Sequence, residues 1–430
     1  MKAIYRITAE AKASEINVVV MDKLRITLLT ESLVRIEWSE KKNFVSSPTQ
    51  KVWFRAFPDV PFTKRDDDGL TLVETDKLYI RCRSAANLRD SLRITLKAPT
   101  AAYSPVQALL DSWQYGDTVS TLKGTARTLD NADGAIELEE GVLSRNGFSV
   151  IDDSTSYLIC PTGELLPRED MDAIDVYFFG YGIDYKECLA DYLRLTGMPP
   201  LLPRWALGNW WSRYHKYTQQ EYKELVERFE AEHIPLSVAM IDMDWHLTEI
   251  AKDIGTGWTG YTWNRELFPE PEKLLSWLHE KKLKVSLNVH PAEGVGRHED
   301  AYTALARALG FPANGETIPF DISSPAFTEA YFDCLHKPLE AQGVDFWWID
   351  WQQGTKTAKP GLDPLWLLNH YHYLDNAKGG NRPLILSRYA GPGSQRYPIG
   401  FSGDSVISWK SLAFQPYFTA TRSEEHTSEL

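Results

Sequence analysis

Cysteines, basic stripes and long apolar runs are all scarce in this chain of 430 residues. The four cysteines are not spaced as a disulfide framework or a metal site would require; they are Cys82, Cys160, Cys188 and Cys334. No stretch approaches the roughly 20 apolar residues of a membrane span, and the N-terminus lacks the apolar core of a signal peptide. We therefore expect reduced, buried thiols, no membrane segment and a cytoplasmic location.

The charge balance narrows the classes of partner. Aspartate and glutamate outnumber lysine and arginine by 59 to 46, which gives a net charge of −13. Nucleic acids and anionic membrane surfaces are therefore poor partners. His233, His246 and His298 are not placed at metal-ligand spacing from cysteines or carboxylates, so we expect no metal and no other cofactor. The 15 tryptophans and 20 tyrosines suit carbohydrate binding, although most large aromatic residues simply fill a core.

Two patterns of hydrophobicity divide the chain. Residues 1–183 contain short runs that alternate apolar and polar residues, for example 16–20, 33–38 and 78–82, and these predict an N-terminal β-sandwich. A helical pattern begins at Asp184 and ends at Gly197, and three prolines follow by residue 203. We therefore interpret 184–203 as a helix and a proline-rich linker.

From residue 204 onward, apolar strands alternate with amphipathic helices. Strands are predicted at about 205–210, 236–242, 284–290, 344–350, 382–388 and 400–404, and helices at about 218–232, 271–282, 325–341 and 363–378. This rhythm predicts a (β/α)8 barrel of the TIM type. A doubly wound sheet is the competing fold, but no glycine-rich phosphate loop follows the first strand.

Only six of the eight barrel strands are found, so we expect the barrel at 204–421 to be incomplete. The last nine residues, 422–430, can be interpreted as the translation of a common sequencing-adapter oligonucleotide. We therefore expect a non-native tail, natural sequence that stops at Thr421, and a chain that is inactive as given.

Charged residues end three of the predicted strands. Asp350 closes Val-Asp-Phe-Trp-Trp-Ile-Asp, Arg388 closes Pro-Leu-Ile-Leu-Ser-Arg, and Asp404 closes Ile-Gly-Phe-Ser-Gly-Asp. Barrel enzymes hold their chemistry at the carboxyl ends of strands, and paired carboxylates beside tryptophans suit a site that cleaves glycosidic bonds. Alternatively, both aspartates cap the helices that follow. Spacing alone does not separate the two interpretations.

The residues around these aspartates resemble the motifs of glycoside hydrolase family 31, a family of retaining α-glycosidases. The resemblance runs from about Trp205 to Thr421, and its four motifs occur in the family's order. They are Asp242-Met243-Asp244, Trp348-Ile349-Asp350, Ser387-Arg388 and Phe401-Ser402-Gly403-Asp404. The chain departs from the family at Gln352-Gln353, where many members have Asn-Glu or Gly-Glu.

The resemblance implies a role for each site residue. Asp350 would be the nucleophile and Asp404 the general acid and base. The other expected contacts to the sugar are Asp242, Met243, Arg388, Trp348, Tyr214 and His290. Among these, Asp242 and Arg388 would bind hydroxyls, and Trp348 and Tyr214 would line the pocket. His290 would donate to a hydroxyl or serve only as a structural histidine.

The expected activity is that of an exo-acting retaining α-glycosidase on an oligosaccharide or glycoside, with α-glucosidase as the first choice. α-Galactosidase, α-xylosidase and transglycosylase activities stay open within the family. The alternative from another class is a non-catalytic carbohydrate-binding relative. Sequence leaves the linkage and the oligomeric state open.

Overall fold

The computed structural model describes residues 2–97, 112–378 and 380–422. Of the predicted non-native tail, only Arg422 lies within these residues, as the last residue of the final helix. Among the described residues, no helix combines the length and the apolar character needed to cross a bilayer.

The first part of the chain is built from antiparallel strands. They are β1 Val18–Met21, β2 Leu24–Leu28, β3 Leu33–Trp38, β4 Thr63–Asp67, β5 Leu70–Glu74, β6 Leu78–Arg83, β7 Leu92–Leu96, β8 Ser112–Trp113, β9 Ser149–Asp152, β10 Leu158–Ile159, β11 Leu165–Leu166 and β12 Ile174–Phe179. One five-stranded sheet has the order β1-β2-β3-β12-β9, and another has β4-β5-β6-β7-β8. The pair β10 and β11 stands apart.

The two larger sheets bury one common core. Residues of β6 alternate strictly between buried and exposed, as expected for a strand with one solvated face. Ile26 and Ile36 of the first sheet lie in the same apolar cluster as Ile80 and Ile94 of the second. The predicted strands at 33–38 and 78–82 are confirmed. The strand predicted at 16–20 starts later, at Val18, because residues Glu15–Asn17 form a 3-10 turn.

A parallel sheet follows, in chain order. Its strands are β13 Trp210–Trp211, β14 Val238–Ile241, β15 Lys284–Val289 and β16 Phe346–Ile349. Parallel bridges from Trp348 to Leu386 and from Ser387 to Gly400 add two further segments. The strand predicted at 205–210 is wrong over most of its length. Arg204–Leu207 form a 3-10 turn, which the Gly208 N–H closes by donating to the Trp205 carbonyl, so pairing begins only at Trp210.

Helices occupy the connections between the parallel strands. The helices of the chain are α1 Leu88–Ser91, α2 Tyr185–Thr196, α3 Gln219–Ala231, α4 Pro271–Glu280, α5 Tyr302–Leu309, α6 Pro325–Tyr331, α7 Lys337–Gln342, α8 Pro364–Asn376 and α9 Trp409–Arg422. A π-helical turn, Phe332–His336, joins α6 to α7. Helix α5 was not predicted, although the left-handed Gly310 that ends it is a sequence signal for a helix terminus.

Side chains of the parallel strands alternate between two apolar environments. Outward residues such as Ile241 and Leu287 pack in the large cluster that includes the helices. Inward residues form a smaller cluster of Val238, Met240, Phe346, Trp348, Leu384, Leu386 and Ile399. With a side-chain period of two, the next inward positions at the carboxyl ends are Asp242, Asp350 and Arg388. The strand geometry therefore brings these charged residues to one mouth of the sheet.

Candidate active site

Asp350 is buried at the end of β16 between a guanidinium and an imidazole. Arg388 donates to Asp350 Oδ1 from Nε at 2.9 Å and from Nη2 at 2.7 Å. His290 Nε2 lies 3.2 Å from the other oxygen, Oδ2. Only 3% of Asp350, 2% of Arg388 and 4% of His290 is exposed. The carboxylate is therefore fixed in position and shielded from bulk water.

These contacts keep Asp350 ionised. Burial by itself disfavours the charged form. The hydrogen bond from His290 and the positive charge of Arg388 outweigh that effect and lower the pKa of Asp350 below its ordinary value. A buried carboxylate with a lowered pKa suits a nucleophile, because attack requires the ionised form.

Contacts from α8 and from Phe401 fix Arg388 in turn. Its carbonyl accepts from Asn369 Nδ2 on α8 at 2.9 Å, and Ser387 Oγ donates to Asn369 Oδ1 at 2.5 Å. The ring of Phe401 lies 4.8 Å from the guanidinium carbon. Asn369 therefore fixes the backbone of Arg388, and Phe401 packs against its guanidinium.

Asp404 lies beside this buried group but remains open to solvent. Partial burial, together with the negative charges of Asp350 and Asp130, raises the pKa of Asp404 above its ordinary value. The two aspartates that end neighbouring segments thus have pKa shifts in opposite directions. Opposite pKa shifts in two neighbouring carboxyls are the pattern by which acid and nucleophile roles are assigned in glycoside cleavage.

Asp242 is the third predicted carboxylate at this mouth. It is half-buried, and its Oδ1 accepts from the backbone N–H of Met243 at 2.7 Å. Burial is the main cause that raises the pKa of Asp242 to about 6, and the charges of Asp350 and Asp404 add to it. Met243 is buried, and its backbone N–H is the group that donates to Asp242.

Aromatic residues surround the carboxylates unevenly. Trp348 packs edge-on against Phe401 at 5.1 Å and is 8% exposed, so most of its surface belongs to the interior cluster. Tyr214 is 69% exposed on the loop after β13, and the structure does not bring it into the cluster around Asp350. Trp258, in the loop after β14, is 47% exposed and meets the His290 ring edge-on at 5.1 Å.

A residue from the N-terminal part of the chain also reaches the site. Asp130 Oδ2 lies 2.9 Å from Arg388 Nη1, which also donates to Thr128 Oγ1 at 2.5 Å. Sequence reasoning missed both residues, because a loop more than 200 positions upstream gives no local signal of this contact.

The helix-capping interpretation is wrong for Asp350 and Asp404. Helix α8 starts at Pro364 and is capped by Asp363, whose side chain accepts from the Leu365 N–H. Helix α9 begins at Trp409, well beyond Asp404. Neither Asp350 nor Asp404 therefore caps a helix.

Comparisons with known proteins agree with this arrangement. Residues 199–422, just over half of the chain, match the model of the glycosyl hydrolases family 31 TIM-barrel domain. Alpha-glucosidase 2 of Bacillus thermoamyloliquefaciens is 29% identical in an alignment of 278 positions that covers 56% of this chain and 34% of that protein. An alpha-xylosidase of Saccharolobus solfataricus is 26% identical, with the same two coverages. The chain thus spans about a third of the length of these curated relatives.

Solved structures show the same fold at lower identity. A family 31 dextranase of Flavobacterium johnsoniae in complex with isomaltotriose superposes with a TM-score of 0.67 and 17% identity, and covers 98% of this chain and 61% of its own. A family 31 alpha-xylosidase from a soil metagenome, complexed with xylose, gives a TM-score of 0.66 at 14% identity, with 96% and 70% covered. The chain belongs to glycoside hydrolase family 31.

Proposed function

We propose that the whole protein is an exo-acting retaining α-glycosidase that works by double displacement. The observation that supports this most strongly is the opposite pKa shift of two neighbouring aspartates, Asp350 lowered and Asp404 raised. A retaining glycosidase needs one ionised and one protonated carboxyl at the start of its reaction.

In the first step, the Asp350 carboxylate forms a bond to the anomeric carbon. The glycosidic bond breaks, and Asp404 transfers its proton to the departing oxygen. In the second step, the Asp404 carboxylate takes a proton from water, whose oxygen attacks the same carbon and releases Asp350. Arg388 and His290 hold one carboxylate oxygen each and orient the nucleophile in both steps.

Asp242 is our choice for recognition of the sugar at the non-reducing end. Its carboxylate can accept hydrogen bonds from two adjacent sugar hydroxyls. These bonds would offset the cost of shielding its half-buried oxygens from water. The exposed face of Trp258 beside His290 offers a stacking surface for the apolar face of a sugar. In this proposal, Trp348 and Met243 line the pocket beneath the sugar.

We propose an α-glucoside as the substrate, since relatives of this chain include proteins named alpha-glucosidase. An α-xyloside is the second candidate, because other relatives are named alpha-xylosidase. The two sugars differ by one hydroxymethyl group, so aryl α-glucoside and aryl α-xyloside compared at equal concentration separate them. A relative that binds sugars without turnover would bind both and cleave neither.

For the architecture, we propose that the two antiparallel sheets form a β-sandwich within residues 1–183. Residues 184–203 would then connect it to strands of a (β/α)8 barrel at 204–421. The shared core of the sheets and the order of the parallel strands support this division.

The decisive experiment follows the stereochemistry of the first product by NMR. We expect the α-anomer to appear first, with slow mutarotation afterwards. An activated fluoro-sugar should label the peptide that contains Asp350. If the β-anomer appears first, the mechanism is inversion and the nucleophile assignment is wrong. A label on a peptide without Asp350 would reject the assignment as well.

A further inference from the structure

The carboxylate of Asp130 lies between two parts of the catalytic group. Its Oδ2 is 2.9 Å from Arg388 Nη1, and its Oδ1 accepts from the backbone N–H of Asp404 at 2.8 Å. Asp130 thus contacts the same arginine that orients Asp350 and the backbone of the residue proposed as the acid. Its side chain is 19% exposed, so these contacts are largely shielded from water.

Gly403 makes this arrangement possible. Its backbone has a φ of 97°, which favours glycine. A Cβ at this position would lie 2.3 Å from Arg388 Nη1 and 2.4 Å from Asp130 Oδ1. The glycine next to Asp404 is therefore needed because the ion pair between Asp130 and Arg388 occupies the space of a side chain.

The loop that supplies Asp130 is tied to the Asp404 segment along its length. Leu129 N–H donates to the Ser402 carbonyl at 2.7 Å, and Asn131 N–H donates to the Asp404 carbonyl at 2.8 Å. Leu129 also packs in a small apolar cluster with Phe414 and Phe418 of α9. Two backbone bonds and an apolar contact fix this loop against the segment, so a change at Asp130 acts on Asp404 directly.

Several charged groups face the Asp404 carboxyl. The carboxylates of Asp350, Asp130 and Asp242 oppose its ionisation, while Arg388 and His290 favour it. Asp130 disfavours the ionisation of Asp404 in two ways. Its own negative charge disfavours a second carboxylate nearby, and its ion pair offsets part of the Arg388 charge that would otherwise stabilise ionised Asp404.

We propose that Asp130 is a positioning residue for Asp404: a loop from the N-terminal part of the chain fixes the backbone of the acid and places a second negative charge beside its carboxyl. The inference rests on the proposed role of Asp404 as general acid. It gives the N-terminal part of the chain a function in the reaction, in addition to any structural one.

The first test measures Asp404 without requiring turnover. Chain labelled with 13C at aspartate carboxyls is titrated by NMR, and the Asp404 signal is assigned by its loss in Asp404→Asn. Asp130→Asn keeps an oxygen that can accept from the Asp404 N–H but removes the charge. We expect the Asp404 titration to move to lower pH in Asp130→Asn.

The control is Asp133→Asn, three positions along the same loop. Asp133 accepts from Ser408 and pairs with exposed Lys410, and it has no described contact with Arg388. Its shift of the Asp404 titration should be smaller than that of Asp130→Asn. Equal titration curves in the wild type and Asp130→Asn, with both chains folded by circular dichroism, would overturn the proposal.

The second test uses turnover by the whole protein. With Asp130→Asn, the alkaline limb of the kcat/KM profile should move to lower pH, and a substrate with a poor leaving group should lose more rate at neutral pH than an activated one. A uniform loss at every pH would indicate a merely structural role and reject the proposal. If the wild type cleaves no glycoside, the proposed function fails, while the NMR titration still decides the role of Asp130.

Discussion

Buried charge is organised differently in the antiparallel sheets and at the mouth of the parallel strands. In the sheets, three arginines meet three carboxylates; they are Arg35, Arg55, Arg168, Glu37, Asp153 and Asp175. At the mouth, Arg388 and His290 face four carboxylates, Asp130, Asp242, Asp350 and Asp404. The sheet cluster is balanced, whereas the mouth has an excess of negative charge.

The difference separates a structural cluster from a reactive one. Asp175 accepts from Arg35 through both of its oxygens, at 2.8 and 2.7 Å, and the charge of Arg35 lowers its pKa despite full burial. At the mouth Asp350 and Asp130 both pair with Arg388, whereas Asp242 and Asp404 have no described ion pair and have raised pKa values. Burial and the charge of Asp175 also raise the pKa of Asp153 in the sheets. There the carboxylates lie beside three buried arginines, whereas at the mouth Arg388 and His290 face four carboxylates.

Removal of the buried Asp350 carboxylate at the mouth should give the largest effect. Asp350→Ala prevents the covalent intermediate, so kcat should fall by about four orders of magnitude or more. The measurement is hydrolysis of an aryl α-glycoside by the whole protein. Asp345→Asn, near the opposite end of β16, is the control and should retain most activity. Comparable losses in both variants would mean that the effect is one of folding.

Asp404→Ala should have a smaller effect that depends on the leaving group. Poor leaving groups need protonation, so their cleavage should slow by roughly two to four orders of magnitude. An activated aryl group needs little protonation and should lose much less. A pair of aryl glycosides with different phenol acidities measures this. Equal losses for both substrates would count against the acid role.

In the sheets, the same kind of change should affect stability instead of rate. Arg35→Met removes the arginine that donates to both oxygens of the buried Asp175. Arg168 still pairs with Asp175 and Arg25 with Glu37, and the free energy of unfolding should fall by about 3–5 kcal/mol. Urea unfolding of the chain gives the value. Arg81→Met, at an exposed position of β6, is the control and should stay within about 0.5 kcal/mol of the wild type. A similar loss in both would show that Arg35 has no special role.

Asp242→Asn should give the smallest change, and it should be a gain in stability. The folded pKa of about 6 exceeds the unfolded value of about 3.9, so the native state binds the proton more tightly. Wild-type stability therefore falls as the pH rises from about 4 to 6 and stays lower above. The asparagine variant lacks this loss of stability and should be more stable than the wild type by about 3 kcal/mol at neutral pH.

Thermal unfolding at several pH values tests this stability gain. The advantage of Asp242→Asn should shrink toward zero near pH 4, because the wild-type carboxyl is then protonated in the folded state. Asp244→Asn, in the same turn, controls for a general effect of removing a carboxylate. An advantage for Asp242→Asn that is constant with pH would contradict the electrostatic explanation.

Local sequence patterns were sufficient to predict most of the parallel strands and to identify the candidate aspartates. Strands at 236–242, 284–290 and 344–350 were predicted because buried parallel strands are nearly continuous apolar runs. Asp242 and Asp350 end two of these strands and could be identified from that position, and Arg388 ends the predicted segment 382–388 in the same way. The first strand failed, because a 3-10 turn competes for the same apolar residues and hydrogen bonds of the backbone decide between them.

The sequence by itself determined the family, the two kinds of sheet and the residues at the strand ends, since these depend on spacing and on periods of two or 3.6 residues. Tertiary structure alone decided which charges meet. Asp130 and Arg388 are 258 positions apart, and only the fold places them 2.9 Å from each other. The pKa of each aspartate depends on burial and on charges from distant segments, so the protonation state of the site is a property of the folded chain.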